Sequence, residues 1–87
     1  MPYSTYIVRC SDDTLYTGWT DDIEKRLDVH NKGVGSKYTR VRLPVALAHS
    51  EEFASKNEAM RREHAIKKMP RAAKLRLIGG LQSDGTS

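Results

Sequence analysis

Two short runs of β-branched and aromatic residues open the chain, Thr5 to Cys10 and Thr14 to Trp19, separated by the turn-forming Ser11, Asp12 and Asp13. This pattern predicts an antiparallel hairpin. Gly18 interrupts the second run, and a glycine inside a strand marks a bulge or a place where another backbone or a ligand comes close. Helical periodicity then takes over. Thr20, Asp21 and Asp22 supply an N-cap and an acidic first turn, Ile23 and Leu27 form an i, i+4 apolar pair, and Gly33 and Gly35 end a helix predicted over 21–31. Beyond the short basic and aromatic segment 36–40, Pro44 precedes a third apolar run, Val45 to Ala48, which reads as a strand.

Ser55 and Glu58 form a capping box, in which each side chain satisfies the other's orphan backbone donor at the start of a helix. Along that helix Ala59, Glu63 and Ile66 fall at i, i+4 and i+7, so Glu63 occupies the stripe that should face the core. An ionised, unpaired and desolvated carboxylate there costs several kcal/mol, so Glu63 needs either an arginine or a cation. Arg61, Arg62 and Arg26 are the candidate protein partners. Pro70 opens a last helix with Ala73, Leu75, Leu77 and Ile78 as apolar positions and Gly79-Gly80 as its stop; the polar tail 81–87 is expected to be disordered. The resulting order, β-β-α-β-α-α, predicts an α+β domain over residues 1–80, with no internal repeat or linker.

The 87 residues have room for one small core, so every motif must share it. Fifteen Lys and Arg against eleven Asp and Glu give a net charge of +4, which favours a polyanionic partner. Cys10 is the only cysteine, which excludes an intrachain disulfide and a thiolate zinc site and fits a reducing, cytoplasmic setting. The first residues form neither a basic leader nor an apolar core of a signal peptide, and no run of about 18 apolar residues occurs, so neither export nor membrane spanning is expected.

Taken singly, the remaining polar residues have ordinary explanations. Tyrosines at strand positions usually pack, and a helical arginine or histidine is usually solvated. Arg26 and His30 are nonetheless one helical turn apart, so a fixed cation and a titratable imidazole project together. Lys37, Tyr38 and Arg40 could be a solvated face or a phosphate track with a base-stacking tyrosine.

In combination, Ser4-Thr5-Tyr6, Tyr16-Thr17-Gly18, Arg26 with His30-Asn31, and Glu63 within Arg62 to Lys67 resemble the GIY-YIG endonuclease superfamily. Both tyrosines and the glycine of the motifs are kept, with Ser4-Thr5 and Thr17 as departures from the consensus. The likeness spans roughly Tyr3 to Ile78 and is nearest to short stand-alone bacterial domains. It implies a three-stranded antiparallel sheet flanked by helices and a divalent-metal-dependent endonuclease acting on DNA, possible settings being repair or recombination. Tyr6, Tyr16, Arg26, His30 and Glu63 would be catalytic. Glu63 would hold Mg²⁺ or Mn²⁺, Arg26 would neutralise the phosphate, and Tyr6, Tyr16 or His30 would take the proton from water. Gly18, Lys37, Tyr38 and Arg40 would meet the nucleic acid, and a protein partner could supply specificity. Two other readings are a non-catalytic nucleic-acid-binding module on the same scaffold and a protein-interaction domain using the last helix.

Overall fold

The computed structural model describes residues 2–86, with side chains described through Gly79. Its elements are β1 (Tyr3–Arg9), β2 (Leu15–Thr20), α1 (Ile23–Asn31), the single turn α2 (Lys37–Arg40), β3 (Ala46–Phe53), α3 (Lys56–Lys67) and α4 (Arg71–Thr86). The strands form one antiparallel sheet in the order β2-β1-β3, the α+β arrangement expected from the sequence. β1 is central, and Ser4 to Val8 are all buried because both sheet faces are covered.

Strand alternation sends Tyr6 and Val8 to one face, where they join Cys10 and Val45 beneath the partly buried Tyr16, Ile23, Leu27 and Leu43. Thr5 and Ile7 point to the other face and meet α3, whose Ala59 and Ile66 are fully buried. The Thr5 hydroxyl donates to the Ala59 carbonyl at 2.7 Å, so the helix docks through a hydrogen bond as well as through apolar area. Burying one isoleucine contributes about 1.5–3 kcal/mol, which makes Ile7 and Ile66 the anchors of this layer.

Local signals place the helix starts. Asp22 is the N-cap of α1 and accepts from the Lys25 amide at 3.1 Å, while the Ser55–Glu58 capping box closes in both directions at the start of α3. Asn31 then clips α1 to the chain before β3, accepting from the Val45 amide at 2.8 Å and donating to its carbonyl at 3.0 Å. Among the described residues, no helix is long and apolar enough to cross a membrane.

Three expectations need correction. β3 runs on through the polar His49-Ser50-Glu51-Glu52 to Phe53, well past the apolar run that marked it. As an edge strand it needs only one paired side, and backbone pairing with β1 sets its length. The basic segment 36–40 contains a helical turn, capped by the Ser36 hydroxyl accepting from the Thr39 amide at 3.1 Å. α4 continues through Gly79 and Gly80 instead of stopping there, since a helical glycine costs about 1 kcal/mol relative to alanine and does not by itself end a helix. The disordered tail expected at 81–87 falls on residues whose side chains lie outside the described set.

Candidate active site

β1 contributes Tyr6, β2 contributes Tyr16 and Gly18, α1 contributes Arg26 and His30, and α3 contributes Glu63; together they line one cleft of about 190 Å³. Trp19 and Gly35 complete its wall. The residues are gathered by register and helical spacing acting together. Tyr6 pairs with Gly18 and Val8 with Tyr16, so both phenols emerge on the same sheet face as diagonal neighbours. α1 lies over that face, and its four-residue spacing presents Arg26 and His30 to them.

Gly18 causes no bulge, because the β1–β2 register runs unbroken through it. The close approach predicted there is made by a side chain, not by a second backbone. A Cβ on Gly18 would stand 2.6 Å from Tyr6 Oη and 2.8 Å from Cζ, so the tyrosine ring occupies that space. Gly35 does the same for His30, where an added Cβ would lie 2.7 Å from ring Cγ. From the sequence Gly35 reads only as a helix stop.

His30 is enclosed, 1 % exposed, although a polar helix residue beside a cation reads as surface. Its Nε2 lies 2.9 Å from Tyr6 Oη and its Nδ1 lies 2.9 Å from Thr39 Oγ1. Tyr16 and Tyr6 present ring edges to it at centroid distances of 5.5 and 5.9 Å. Burial, and secondarily the Arg26 charge, lower the His30 pKa, so the imidazole is neutral near pH 7. Burial first, then Tyr16, raises the Tyr6 pKa well above the ordinary phenol value, with Arg26 opposing. Tyr6 therefore rests as the phenol. Thr39, fully buried at the hub of this network, gave no signal in the sequence because its burial depends on α2 folding against α1.

Arg26 has neither an ion pair nor a hydrogen bond to its guanidinium among the described residues, which leaves its fork of donors open to an anion in the cleft. Glu63 is 21 % exposed and pairs with Lys67 Nζ at 3.1 Å, one turn along α3. None of the three arginines expected as its partner takes that position. Arg62 instead forks onto Glu51 at 2.8 and 3.0 Å, tying α3 to β3, and this hydrogen-bonded pairing holds the Glu51 carboxyl below its usual range. No cluster of three His, Cys, Asp or Glu suited to a metal occurs among the described residues. One carboxylate at a polar cleft fits only a hard cation that keeps most of its waters, as Mg²⁺ does.

Lys37, Tyr38 and Arg40 do not line the cleft. Lys37 and Arg40 are exposed on α2, and Tyr38 stacks on Tyr16 at 5.9 Å with the Arg42 guanidinium 4.0 Å from its centroid. Arg42 is itself held by Asp12 at 3.0 Å and by the Tyr38 carbonyl at 2.8 Å. Tyr38 thus buttresses a cleft tyrosine from behind.

Residues 2–76 match the GIY-YIG catalytic domain. A UPF0213 protein of Streptococcus agalactiae is 55 % identical over 78 residues, covering 90 % of this chain and 89 % of its own length. One from Halobacterium salinarum is 54 % identical over 72 residues, 83 % of this chain and 94 % of the relative. The solution NMR structure of the UPF0213 protein from Bacillus halodurans matches with a TM-score of 0.59 at 42 % identity, covering 91 % of this chain and 84 % of that one. An E. faecalis protein solved by the same method matches with a TM-score of 0.60 at 35 % identity, over all of this chain and 90 % of its own.

Proposed function

This chain belongs to the GIY-YIG catalytic domain family, and from that premise we propose that it is a divalent-metal-dependent endonuclease hydrolysing DNA phosphodiester bonds. One observation carries the reading: an uncommitted guanidinium, two phenols, an imidazole and a carboxylate from four separate elements line a single cleft. Arg26, always charged and fork-shaped, would bind the phosphate and offset charge growing on its oxygens in the transition state. Glu63 would hold Mg²⁺ or Mn²⁺, which when bound supplies Lewis acidity toward the phosphate and the leaving oxygen. Tyr6, Tyr16 or His30 would receive the proton of the attacking water. The small cleft and net positive charge suit a substrate whose backbone is locally accessible, such as flapped or branched DNA in repair or recombination, with a protein partner supplying specificity.

The test is nicking of flapped, branched and plain duplex DNA with Mg²⁺ or Mn²⁺. Wild type should cut at least one of these, while Arg26→Ala and Glu63→Ala should each lower the rate by about 10² or more. Equal behaviour of all three proteins removes the catalytic reading. A second reading, a non-catalytic nucleic-acid-binding module, is favoured by the Glu63–Lys67 ion pair, which already gives the carboxylate a cation. DNA binding that survives EDTA with a steep salt dependence and no cleavage is its signature.

A further inference from the structure

A hydrogen-bonded chain, buried beyond its half-buried Ser36 end, runs from the cap of α2 into the cleft: Ser36 Oγ to Thr39 Oγ1 at 3.0 Å, Thr39 Oγ1 to His30 Nδ1 at 2.9 Å, and His30 Nε2 to Tyr6 Oη at 2.9 Å. Its direction decides what Tyr6 can do. A neutral imidazole donates from one nitrogen and accepts at the other, and each hydroxyl has one proton. The Ser36 hydroxyl already accepts from the Thr39 amide, and the Thr39 hydroxyl can donate back to the Ser36 carbonyl at 3.4 Å. With its own proton on the Ser36 carbonyl, Thr39 Oγ1 accepts Nδ1–H, and Nε2 is then an acceptor for the Tyr6 proton. In the reverse direction Nε2–H points at Tyr6 Oη, and the proton of the phenol, 2 % exposed, has no protein acceptor among the described residues.

We propose that Thr39 is a positioning residue that holds His30 as the Nδ1–H tautomer, so that Nε2 draws the Tyr6 proton and frees Tyr6 Oη to accept one from water. This rests on the nuclease reading for its kinetic consequence, while the tautomer itself is measurable without turnover. In the step, a water O–H bond breaks and its proton passes to Tyr6 Oη as the Tyr6 proton passes to His30 Nε2. The hydroxide oxygen bonds to phosphorus, and the P–O bond to the leaving sugar oxygen breaks with its electron pair. That oxygen takes a proton from solvent, and the resting site is restored when His30 passes its proton back to Tyr6 Oη as Tyr6 releases the water-derived proton to solvent. The raised pKa of Tyr6 makes such coupling necessary, because a free phenolate is not present in the resting site. The lowered pKa of His30 keeps its acceptor lone pair available. Gly35 and the Ser36 cap preserve the geometry, the first by leaving room for the ring and the second by fixing the turn that carries Thr39.

The experiment combines ¹⁵N NMR of the His30 ring in wild type, Thr39→Val and Thr39→Ser with nicking kinetics of all three. Wild type is expected to carry its ring proton on Nδ1; a proton on Nε2 overturns the proposal. Thr39→Val should lose the tautomer preference and about 10²-fold in kcat with KM unchanged, and Thr39→Ser should restore both. A valine variant with wild-type tautomer and wild-type kcat also overturns it. If the valine variant does not fold, the wild-type and serine tautomers decide. An Nδ1–H tautomer in a protein that cuts no DNA supports the positioning role and sinks the nuclease reading alone.

Discussion

Gly18 stands directly across the β1–β2 ladder from Tyr6, and the tyrosine ring fills the space that any side chain at Gly18 would enter. The glycine is thus a steric requirement of the cleft, since only its missing Cβ lets the phenol lie over β2 and reach His30.

Gly18→Ala should therefore destabilise the fold by about 1–3 kcal/mol, the usual range for overpacking, and displace Tyr6 from His30. Urea unfolding reads the first effect and nicking the second. A variant as stable and as active as wild type would show that the ring moves aside freely.

Acid should weaken the fold in two stages. The folded state lowers the His30 pKa below its unfolded value of 6.5, so as pH falls through that value the unfolded chain binds the proton first and stability declines. Glu51, lowered chiefly by its hydrogen bond from Arg62, follows the same sign: its contribution is complete above the unfolded carboxylate pKa of about 4.3 and is lost as pH falls toward the folded value. Tyr6, Tyr16, Arg26 and Thr39 face His30, and after burial it is the Arg26 charge that lowers its pKa. Unfolding free energies measured from pH 7.5 to 5.5 should drop for wild type and stay flatter for His30→Gln.

Lys67 competes with any cation for Glu63. Removing it as Lys67→Ala should lower the Mg²⁺ or Mn²⁺ concentration needed for half-maximal nicking by about 2–5-fold, because the carboxylate no longer has to break an ion pair worth about 0.3–1 kcal/mol before meeting the metal. Because Lys67 is half exposed, stability should change little. A metal titration that gives superimposable curves for the two proteins refutes the competition.

Asn31 replaces a missing stretch of ladder with two side-chain bonds to Val45. Asn31→Ala should lose about 1–3 kcal/mol by leaving the Val45 amide and carbonyl without these partners, while Asn31→Asp, which keeps only an acceptor, should fall between. Thermal or urea unfolding of the three proteins ranks them.

How much of this was legible in the chain depends on the range over which each signal acts. Asp22 as a cap, the Ser55–Glu58 box, the hairpin and the apolar positions Ala59 and Ile66 are all set by neighbours within a few residues, where backbone donors and side-chain periodicity constrain one another directly. The motif residues Tyr6, Tyr16, Arg26, His30 and Glu63 were likewise identifiable in the order of the chain, as was the need of Glu63 for a positive partner. Folding decided the rest. The Tyr6–His30 bond spans 24 residues of chain, the polar half of β3 exists only because β1 offers it a ladder, and Thr39 is polar in sequence yet buried once α2 closes over His30. Lys67 took the place expected for an arginine because it lies one helical turn from Glu63, whereas Arg62 faces β3 and found Glu51. Composition and spacing can name the groups that the chemistry requires; only the packing of separate elements determines which atoms touch, and with that which way a proton can move.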